Sequence, residues 1–387
     1  METVKVLFQC PTKIFQGRGI SGQVGKIVKQ EVAAKKILVL IDPAIKETDR
    51  FGEMVDSFNL VGIQFSVFDN IIPDAPSSNV EKNVDLVKGQ DLGAIVAIGG
   101  GSTIDTAKGL RLLANLGHTV KHFLGVGTVK TRLDPPIFSV PTTAGTGSEV
   151  STAAAFKDEA ENRKFAVIDW PMIPDYCLAD PLLTVGKPPS LTAITGIDTL
   201  AHLIESYVSR KANLMSDAIN LKCIGLVGRY LERAFCNGDD LEARENMQFA
   251  SVMSAVAFNH TQVGLDHSIA MPLSSAIGTP HGVSIGLMLP YVMEFNRPAV
   301  PKKFKEIARA FGYNVETMAE REAGEKAIEF VRGLCTVLCL PSRLGEFGVT
   351  KETLPNFIDG TLASMHTQTN PRKVTPENLL ALFEKTL

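Results

Sequence analysis

The stretch AIVAIGGGSTIDTAKGL, residues 94–110, joins a short apolar run to an amphipathic segment through three consecutive glycines. The apolar run predicts a buried β-strand, and the segment after it predicts a helix that is capped by Ser102. Gly99, Gly100 and Gly101 would let the backbone approach a phosphate closely, at a helix N-terminus whose N–H groups attract anions. The spacing matches neither G-x-G-x-x-G nor a Walker motif, so an ordinary tight turn is the alternative.

The same alternation of strands and helices continues on both sides of this stretch. Apolar runs predict strands over residues 35–42, 63–69, 93–100 and 136–142, and the segments between them include predicted helices over 81–90 and 102–116. Strands rich in Val and Ile that alternate with helices indicate a parallel sheet covered on both faces. The first half of the chain is therefore predicted to be a Rossmann-like α/β domain.

A second loop of small hydroxyl residues, VPTTAGTGSEVS over residues 140–151, follows the last of these strands. It offers hydroxyls and backbone amides without bulk, although a Gly/Ser turn before a helix would look the same. Open parallel sheets bind ligands at the carboxyl ends of their strands, so two such loops favour a dinucleotide site. Asp42 ends the first clear strand, where a carboxylate can bond an adenosine ribose and repel the extra phosphate of NADP. NAD is the predicted cofactor, although aspartates that only form turns are common at strand ends.

The second half of the chain changes character and is predicted to be all helical. Helical patterns follow one another from Ser190, after the breaker stretch GKPP at residues 186–189. We therefore predict a nucleotide-binding domain over residues 1–187 and a helical domain over 188–387. A chain of this length favours two domains, and a cleft between them is the expected site.

The composition excludes several classes of protein. The 387 residues are 45% hydrophobic and 21% charged, and a net charge of −3 provides no basic field for nucleic acid. No run of eighteen apolar residues is present, and the start METVKVLFQCPTK lacks the pattern of a signal peptide. The six cysteines are scattered without metal-binding spacing. We expect a cytoplasmic protein with no membrane or nucleic-acid partner.

Histidines and one aspartate in the helical half form a candidate metal site. Asp198 and His202 are four residues apart on one predicted helix, hence on one face. His267 and His281 lie in the apolar segment GLDHSIAMPLSSAIGTPHGVSIG, where His281 follows a proline in a predicted loop. A lone buried histidine is more often bonded to a backbone carbonyl, but four such residues form a coherent set. Oxygen and nitrogen ligands suit Fe²⁺, Zn²⁺, Mn²⁺ or Co²⁺.

Several long motifs resemble those of iron-containing (group III) alcohol dehydrogenases. They are GGGSTIDTAK, PTTAGTGSEVS, TGIDTLAHLIESYVS, DHSIAMPLSSAIGTPHG and TNPRKVTPENL, in the family's order and over nearly the whole chain. The resemblance implies a Rossmann-like NAD-binding domain followed by an all-α metal-binding domain, a fold shared with dehydroquinate synthase-like proteins. It also implies a homodimer or a larger homo-oligomer.

The resemblance further implies roles for particular residues. The four residues above would be the metal ligands and would usually hold Fe²⁺. The cofactor contacts would be Asp42, Gly99, Gly100, Gly101, Ser102, Asp105, Thr142, Thr143, Thr146, Ser151 and Lys164. No catalytic side chain is implied beyond the metal centre. The metal would act as a Lewis acid on the oxygen of an alcohol or aldehyde, while hydride moves between NAD(H) and the adjacent carbon.

Two positions depart from the family's usual pattern. Met271 replaces a histidine four residues after the third ligand, so a proton relay through that position is absent. Tyr291, in LPYVMEFN, replaces another histidine. The resemblance implies a substrate pocket that includes Phe258, His260, Met271 and His366. The alternative for His260 and His366 is a purely structural role.

The substrate is predicted less sharply than the reaction. Short primary alcohols and aldehydes are the first expectation. A pocket with added polar groups would instead suit an aldehyde with an anionic or polar tail, such as sulfoacetaldehyde, or a 1,2- or 1,3-diol. A metal-dependent lyase on the same scaffold would need a pocket rich in Lys and Arg, and the segments flanking the ligands are poor in both. A metallohydrolase would leave the two glycine loops unexplained.

Overall fold

A computed structural model describes residues 7–387, which form two compact units. The α/β unit spans Cys10–Val185, and the helical unit comprises Gly186–Leu387 together with the described residues before Cys10. The predicted first domain included these N-terminal residues. They group with the helices because Phe8 stacks on His260 and the Gln9 backbone hydrogen-bonds to the same ring. The exact domain ranges stay a prediction.

The α/β unit contains a parallel sheet of six strands and a smaller sheet of three. The strands are β1 (Lys13–Gln16), β2 (Lys36–Ile41), β3 (Gln64–Phe68), β4 (Ala94–Gly99), β5 (Gly125–Val126), β6 (Ile137–Pro141), β7 (Ala153–Asp158), β8 (Arg163–Ile168) and β9 (Tyr176–Ala179). The large sheet has the order β1-β9-β6-β4-β2-β3 with every pairing parallel. In the small sheet β8 pairs parallel to β5 and antiparallel to β7. The predicted parallel sheet is confirmed.

The helices of this unit are α1 (Val24–Val32), α2 (Pro43–Lys46), α3 (Asp49–Leu60), α4 (Ser77–Lys82) and α5 (Gly101–Leu116). The predicted helix over 81–90 is wrong, because α4 ends at Lys82 and only a short 3-10 turn follows at Val84–Leu86. Asn83 ends the helix: its side-chain amide donates to the carbonyl of Asn79 at 2.7 Å, which competes with the helical hydrogen bond.

Alternate residues of the central strands build two separate cores. On β2, Leu38 and Leu40 pack in the core that contains Ile104 of α5, whereas Ile37 and Val39 pack in the other core with residues of α1 and α3. Successive side chains of a strand point to opposite faces, so a strand buried on both sides must be apolar throughout. This explains the unbroken apolar runs from which the strands were predicted.

The helical unit consists of nine α-helices among the described residues. They are α6 (Pro189–Val208), α7 (Leu214–Cys236), α8 (Leu241–Thr261), α9 (Leu265–Ile277), α10 (His281–Asn296), α11 (Pro301–Ala310), α12 (Glu320–Val337), α13 (Ile358–Ala363) and α14 (Pro376–Glu384). Side-chain caps mark several of the starts, for example the capping box of Asn213 and Ser216 at α7. Over residues 7–387, no helix combines the length and hydropathy needed to cross a bilayer. The predicted all-α second half is confirmed.

Candidate functional site

The glycine loop connects β4 directly to α5. Gly99 is the last residue of β4, Gly100 is the N-cap of α5 and Gly101 is its first residue. Ser102 was predicted to cap the helix, and this is wrong, because no side chain in the described chain caps α5. The Ser102 hydroxyl instead accepts a hydrogen bond from the backbone N–H of Asp74 at 3.0 Å. The N-terminus of α5 is therefore not capped by a side chain, which leaves it suited to an anion.

The second predicted loop lies directly over the first. A Cβ added to Gly100 would lie 3.3 Å from the side chain of Thr143, and one added to Gly101 would lie 3.0 Å from that of Thr146. Any larger residue at these two glycines would therefore press on the threonines and fill the space above the helix N-terminus. This cradle fits a pyrophosphate group, which needs close approach to backbone amides.

A buried polar cluster beneath the loops holds them together. Asp105 accepts hydrogen bonds from the Ser148 hydroxyl and from the Ala155 N–H, so both of its oxygens are bound within the protein. Lys108 is fully buried and donates to the Ser148 hydroxyl and to the carbonyls of Ser151 and Ala153, at 2.6–3.0 Å. Burial lowers the pKa of Lys108 to about 8, although the Asp105 carboxylate acts against this shift. The arrangement favours a positioning role for Asp105 over direct cofactor contact.

The other predicted cofactor residues lie around the same loops. Lys164 pairs with the carboxylate of Asp74 at 2.6 Å, and the Ser151 hydroxyl accepts from the Ala153 N–H at 2.9 Å. Thr142 is buried, and its hydroxyl has no hydrogen-bond partner within residues 7–387. Asp42 follows β2 as predicted and accepts from the Ala44 N–H at 2.9 Å, so its carboxylate also caps α2.

The four predicted metal-binding residues come together in the helical unit. Asp198 and His202 lie one turn apart on α6, with 4.0 Å between Asp198 Oδ1 and His202 Nε2. His267, on α9, brings its Nε2 to 3.4 Å from the same oxygen, and its ring stacks on that of His202 at 4.4 Å. Potential ligand atoms of Asp198, His267 and His281 all lie within 4.8 Å of one another.

His281 enters this cluster from a helix, whereas the sequence predicted a loop. It is the first residue of α10, and its Nε2 lies 3.9 Å from Asp198 Oδ1. The next residue, Gly282, explains the close approach: a Cβ there would lie 2.2 Å from the backbone oxygen of Ile194 on α6. Only glycine lets α10 pack against α6 at this point, and this packing places His281 beside Asp198.

The electrostatics of the cluster are those of a site built for a cation. Burial acts to raise the pKa of Asp198, but the three imidazoles outweigh it and hold the pKa well below its usual range. Burial likewise acts to lower the pKa of His267, yet the nearby carboxylates of Asp198 and Glu205 raise it to about 10. Asp198 Oδ1 and His267 Nε2 are buried, and neither has a hydrogen-bond partner within residues 7–387. A divalent ion would satisfy both atoms, so the residues fit one.

Sequence reasoning missed two acidic residues beside this cluster. Glu205, on the same helix as Asp198, lies 2.6 Å from His267 Nδ1 through Oε2, and its Oε1 accepts from the Asp266 N–H at 2.5 Å. Such a carboxylate fixes the ring so that Nε2 faces the metal position. Asp266 is fully buried, and burial raises the pKa of its carboxyl well above the usual range. The available signal for Glu205 was its position three residues after His202 on α6.

The predicted pocket residues divide into two groups. The Phe258 ring lies 4.7 Å from that of His202, next to the cluster. Met271 follows His267 by one turn on α9 and is half-buried. His260 has a different environment: its Nε2 lies 2.9 Å from the Gln9 carbonyl, and Phe8 covers one face of the ring. This contact gives His260 a structural role.

Tyr291, the other departure from the usual pattern, is explained by packing. Its hydroxyl donates to the carbonyl of Ser342 at 2.9 Å, and Arg332 lies over its ring. Tyr291 therefore fastens α10 to the segment that follows α12.

Comparison with known proteins agrees with both units. Residues 11–181 match the family model "Iron-containing alcohol dehydrogenase", and residues 192–387 match "Fe-containing alcohol dehydrogenase family, C-terminal". An NAD-dependent methanol dehydrogenase of Bacillus methanolicus is 34% identical over 98% of this chain and 99% of its own. A 1,3-propanediol dehydrogenase of Klebsiella pneumoniae is 33% identical, over 92% of each chain.

Solved structures show the same relationship. A crystal structure of 1,3-propanediol oxidoreductase superposes with a TM-score of 0.93 at 32% identity, covering 99% of this chain and 100% of the other. The fold, the two paired loops and the group of metal-binding residues together define a metal-dependent oxidoreductase of alcohols and aldehydes. The chain belongs to the iron-containing alcohol dehydrogenase family.

Proposed function

We propose that this protein transfers hydride between NAD(H) and a short primary alcohol or aldehyde, with Fe²⁺ as its metal. The observation that carries the proposal is the group formed by Asp198, His267 and His281, with His202 beside it, in which Asp198 Oδ1 and His267 Nε2 have no hydrogen-bond partner within residues 7–387. The relatives named above act on small alcohols, which supports this class of substrate.

In this proposal the helical unit supplies the residues that bind the metal, and the α/β unit supplies those that bind the cofactor. Asp198, His202, His267 and His281 would hold the iron, and the glycine loop with Thr143 and Thr146 would hold the pyrophosphate of the cofactor. When bound, Fe²⁺ supplies a Lewis acid for the substrate oxygen, and NAD(H) supplies or accepts hydride at the adjacent carbon. Glu205 keeps the His267 ring oriented, and Asp105 with Lys108 keeps the two loops together.

Three finer points belong to the same proposal. We propose Fe²⁺ because the chain belongs to an iron-containing family, although the oxygen and nitrogen ligands also suit Zn²⁺ and Mn²⁺. All six cysteines are unpaired thiols, which supports a reducing compartment such as the cytoplasm. We also propose a homodimer or larger homo-oligomer, which light scattering coupled to size-exclusion chromatography would measure.

The direct test is oxidation of NADH by protein loaded anaerobically with Fe²⁺. We expect propanal to be reduced, and we expect the rate to disappear after treatment with a chelator and to return when Fe²⁺ is added back. Zn²⁺ and Mn²⁺ loaded in parallel would identify the most active metal. No NADH oxidation with any small aldehyde and any of these metals would contradict the proposal.

Replacing Asp42 is expected to weaken the preference for NADH over NADPH. Two unit charges 4 Å apart in water repel by about 1 kcal/mol, so removing this carboxylate should shift the ratio of kcat/KM values by roughly fivefold. Asp42→Gly removes both the charge and the cap of α2, whereas Asp42→Asn keeps an oxygen for the Ala44 N–H. Both variants should shift the ratio if the charge is the cause. An unchanged ratio in both would remove Asp42 from cofactor selection.

A further inference from the structure

His366 lies on a short 3-10 turn, Met365–Gln368, that is fastened beside the metal cluster. Thr369, three residues after His366, donates a hydrogen bond from its hydroxyl to the carbonyl of Val263 at 2.6 Å. Val263 lies just before the start of α9. A Cβ added to Gly264 would lie within 3.4 Å of both Glu205 and Asn370, so the segments that carry these three residues pack closely together. The turn that carries His366 is therefore held against the first turn of α9, which carries His267.

One nitrogen of the His366 imidazole is buried and receives no hydrogen bond from the described residues. Nδ1 of this ring is shielded from solvent and forms no hydrogen bond within residues 7–387. Leaving a polar group in this state costs free energy, so such groups are rare in folded proteins unless something outside the chain satisfies them. Burial lowers the pKa of His366 to about 4. The ring is therefore neutral near pH 7.

The other histidine predicted in the pocket provides a contrast. His260 uses Nε2 for the Gln9 backbone and one ring face for Phe8. His366 thus differs from His260 in having a buried polar atom for which the described residues supply no partner. Phe258, whose ring lies against His202, adds an apolar surface next to the metal cluster.

We propose that His366 is a specificity-determining residue whose Nδ1 exchanges a hydrogen bond with a neutral hydroxyl on the substrate's tail. The inference rests on the proposed function and deepens it, because it names the group that this site distinguishes. A hydroxyl can donate or accept, so it matches a neutral imidazole in either tautomer. An alkyl tail would leave Nδ1 without a partner, and an anionic sulfonate would meet an uncharged ring. Sites built to bond a substrate hydroxyl discriminate strongly against analogues that lack it.

The test compares three aldehydes in the metal-loaded enzyme: 3-hydroxypropanal, propanal and sulfoacetaldehyde. We expect kcat/KM to be highest for 3-hydroxypropanal and lowest for sulfoacetaldehyde. In His366→Leu, kcat/KM for 3-hydroxypropanal should fall at least roughly ten times further than that for propanal. His366→Asn keeps polar atoms near the position of Nδ1 and should recover part of the preference. His260→Leu is the matched control, and its ratio of the two rates should equal that of the wild type.

A binding measurement separates recognition from turnover. Ligand-detected NMR should show tighter binding of propane-1,3-diol than of propan-1-ol to the wild-type holoenzyme, and no such difference for His366→Leu. An unchanged preference in His366→Leu, or equal losses for 3-hydroxypropanal and propanal, would overturn the role of His366 while leaving the proposed function intact. A wild-type enzyme that reduces none of the three aldehydes would overturn the proposed function itself.

Discussion

Replacing His267 by alanine is expected to abolish both iron retention and turnover. Its Nε2 and Asp198 Oδ1 lie 3.4 Å apart, and both are buried atoms without hydrogen-bond partners within residues 7–387. Removing a direct ligand should therefore cost more than the roughly 10–100-fold typical of losing an outer-shell partner. The loss of the imidazole also leaves the buried carboxylates of Asp198 and Glu205 without the group that lies between them. Iron content after desalting and kcat with propanal measure the two effects.

The control for this variant is His122→Ala. His122 is an exposed histidine of the α/β unit that stacks on His118, so its removal tests the effect of losing a surface imidazole. That variant should keep its iron and its rate. A His267→Ala protein with full iron content and full activity would refute the ligand assignment. Circular dichroism of both variants establishes whether the helices have formed.

The second large effect is expected from Glu205→Gln, which should raise the metal dissociation constant by about 10–100-fold. Each carboxylate oxygen of Glu205 accepts one hydrogen bond: Oε2 from His267 Nδ1 and Oε1 from the Asp266 N–H. A glutamine has one amide oxygen, so it can serve only one of these donors as an acceptor. The His267 ring then loses either its orientation or the negative charge that strengthens it as a ligand.

Because Glu205 acts through His267, the effect should lie in metal binding more than in the rate of the saturated enzyme. At saturating Fe²⁺ we expect the kcat of Glu205→Gln to come close to that of the wild type. At limiting Fe²⁺ we expect the activity of the variant to lie well below that of the wild type. Glu242→Gln provides the control, because Glu242 lies in exposed ion pairs at the start of α8 and should leave metal affinity unchanged. A metal affinity in Glu205→Gln equal to that of the wild type would show that the carboxylate only fills space.

Much of the fold and of the site could be predicted from the sequence, because both depend on local patterns. Apolar runs predicted β2, β3, β4 and β6 to within one residue at each end. For β2, β4 and β6 the reason is that strands buried on both faces must be apolar throughout. Asp198 and His202 were placed on one helix face by their spacing alone. His267 and His281 have no helical spacing relative to these residues. They were grouped with them by residue type and by their place in the helical half, and the resemblance to the family then implied the same set.

Other features depended on contacts between distant segments, which no local pattern encodes. The cap assigned to Ser102 failed because its hydroxyl instead accepts a hydrogen bond from the backbone N–H of Asp74, 28 residues away. Glu205 became part of the site only through the packing of α9 against α6, which brings a carboxylate to a ring 62 residues away.

The same division separates the two pocket histidines. From the sequence alone, His260 and His366 were equivalent candidates. In the folded protein, Phe8 and the Gln9 backbone satisfy His260, whereas the turn at Met365–Gln368 buries Nδ1 of His366 without a partner among residues 7–387. The sequence alone determined the elements and the chemical types of the ligands, because periodicity and residue identity are local. Only the tertiary structure decided which polar atoms are satisfied, because that depends on which distant backbone packs against each side chain.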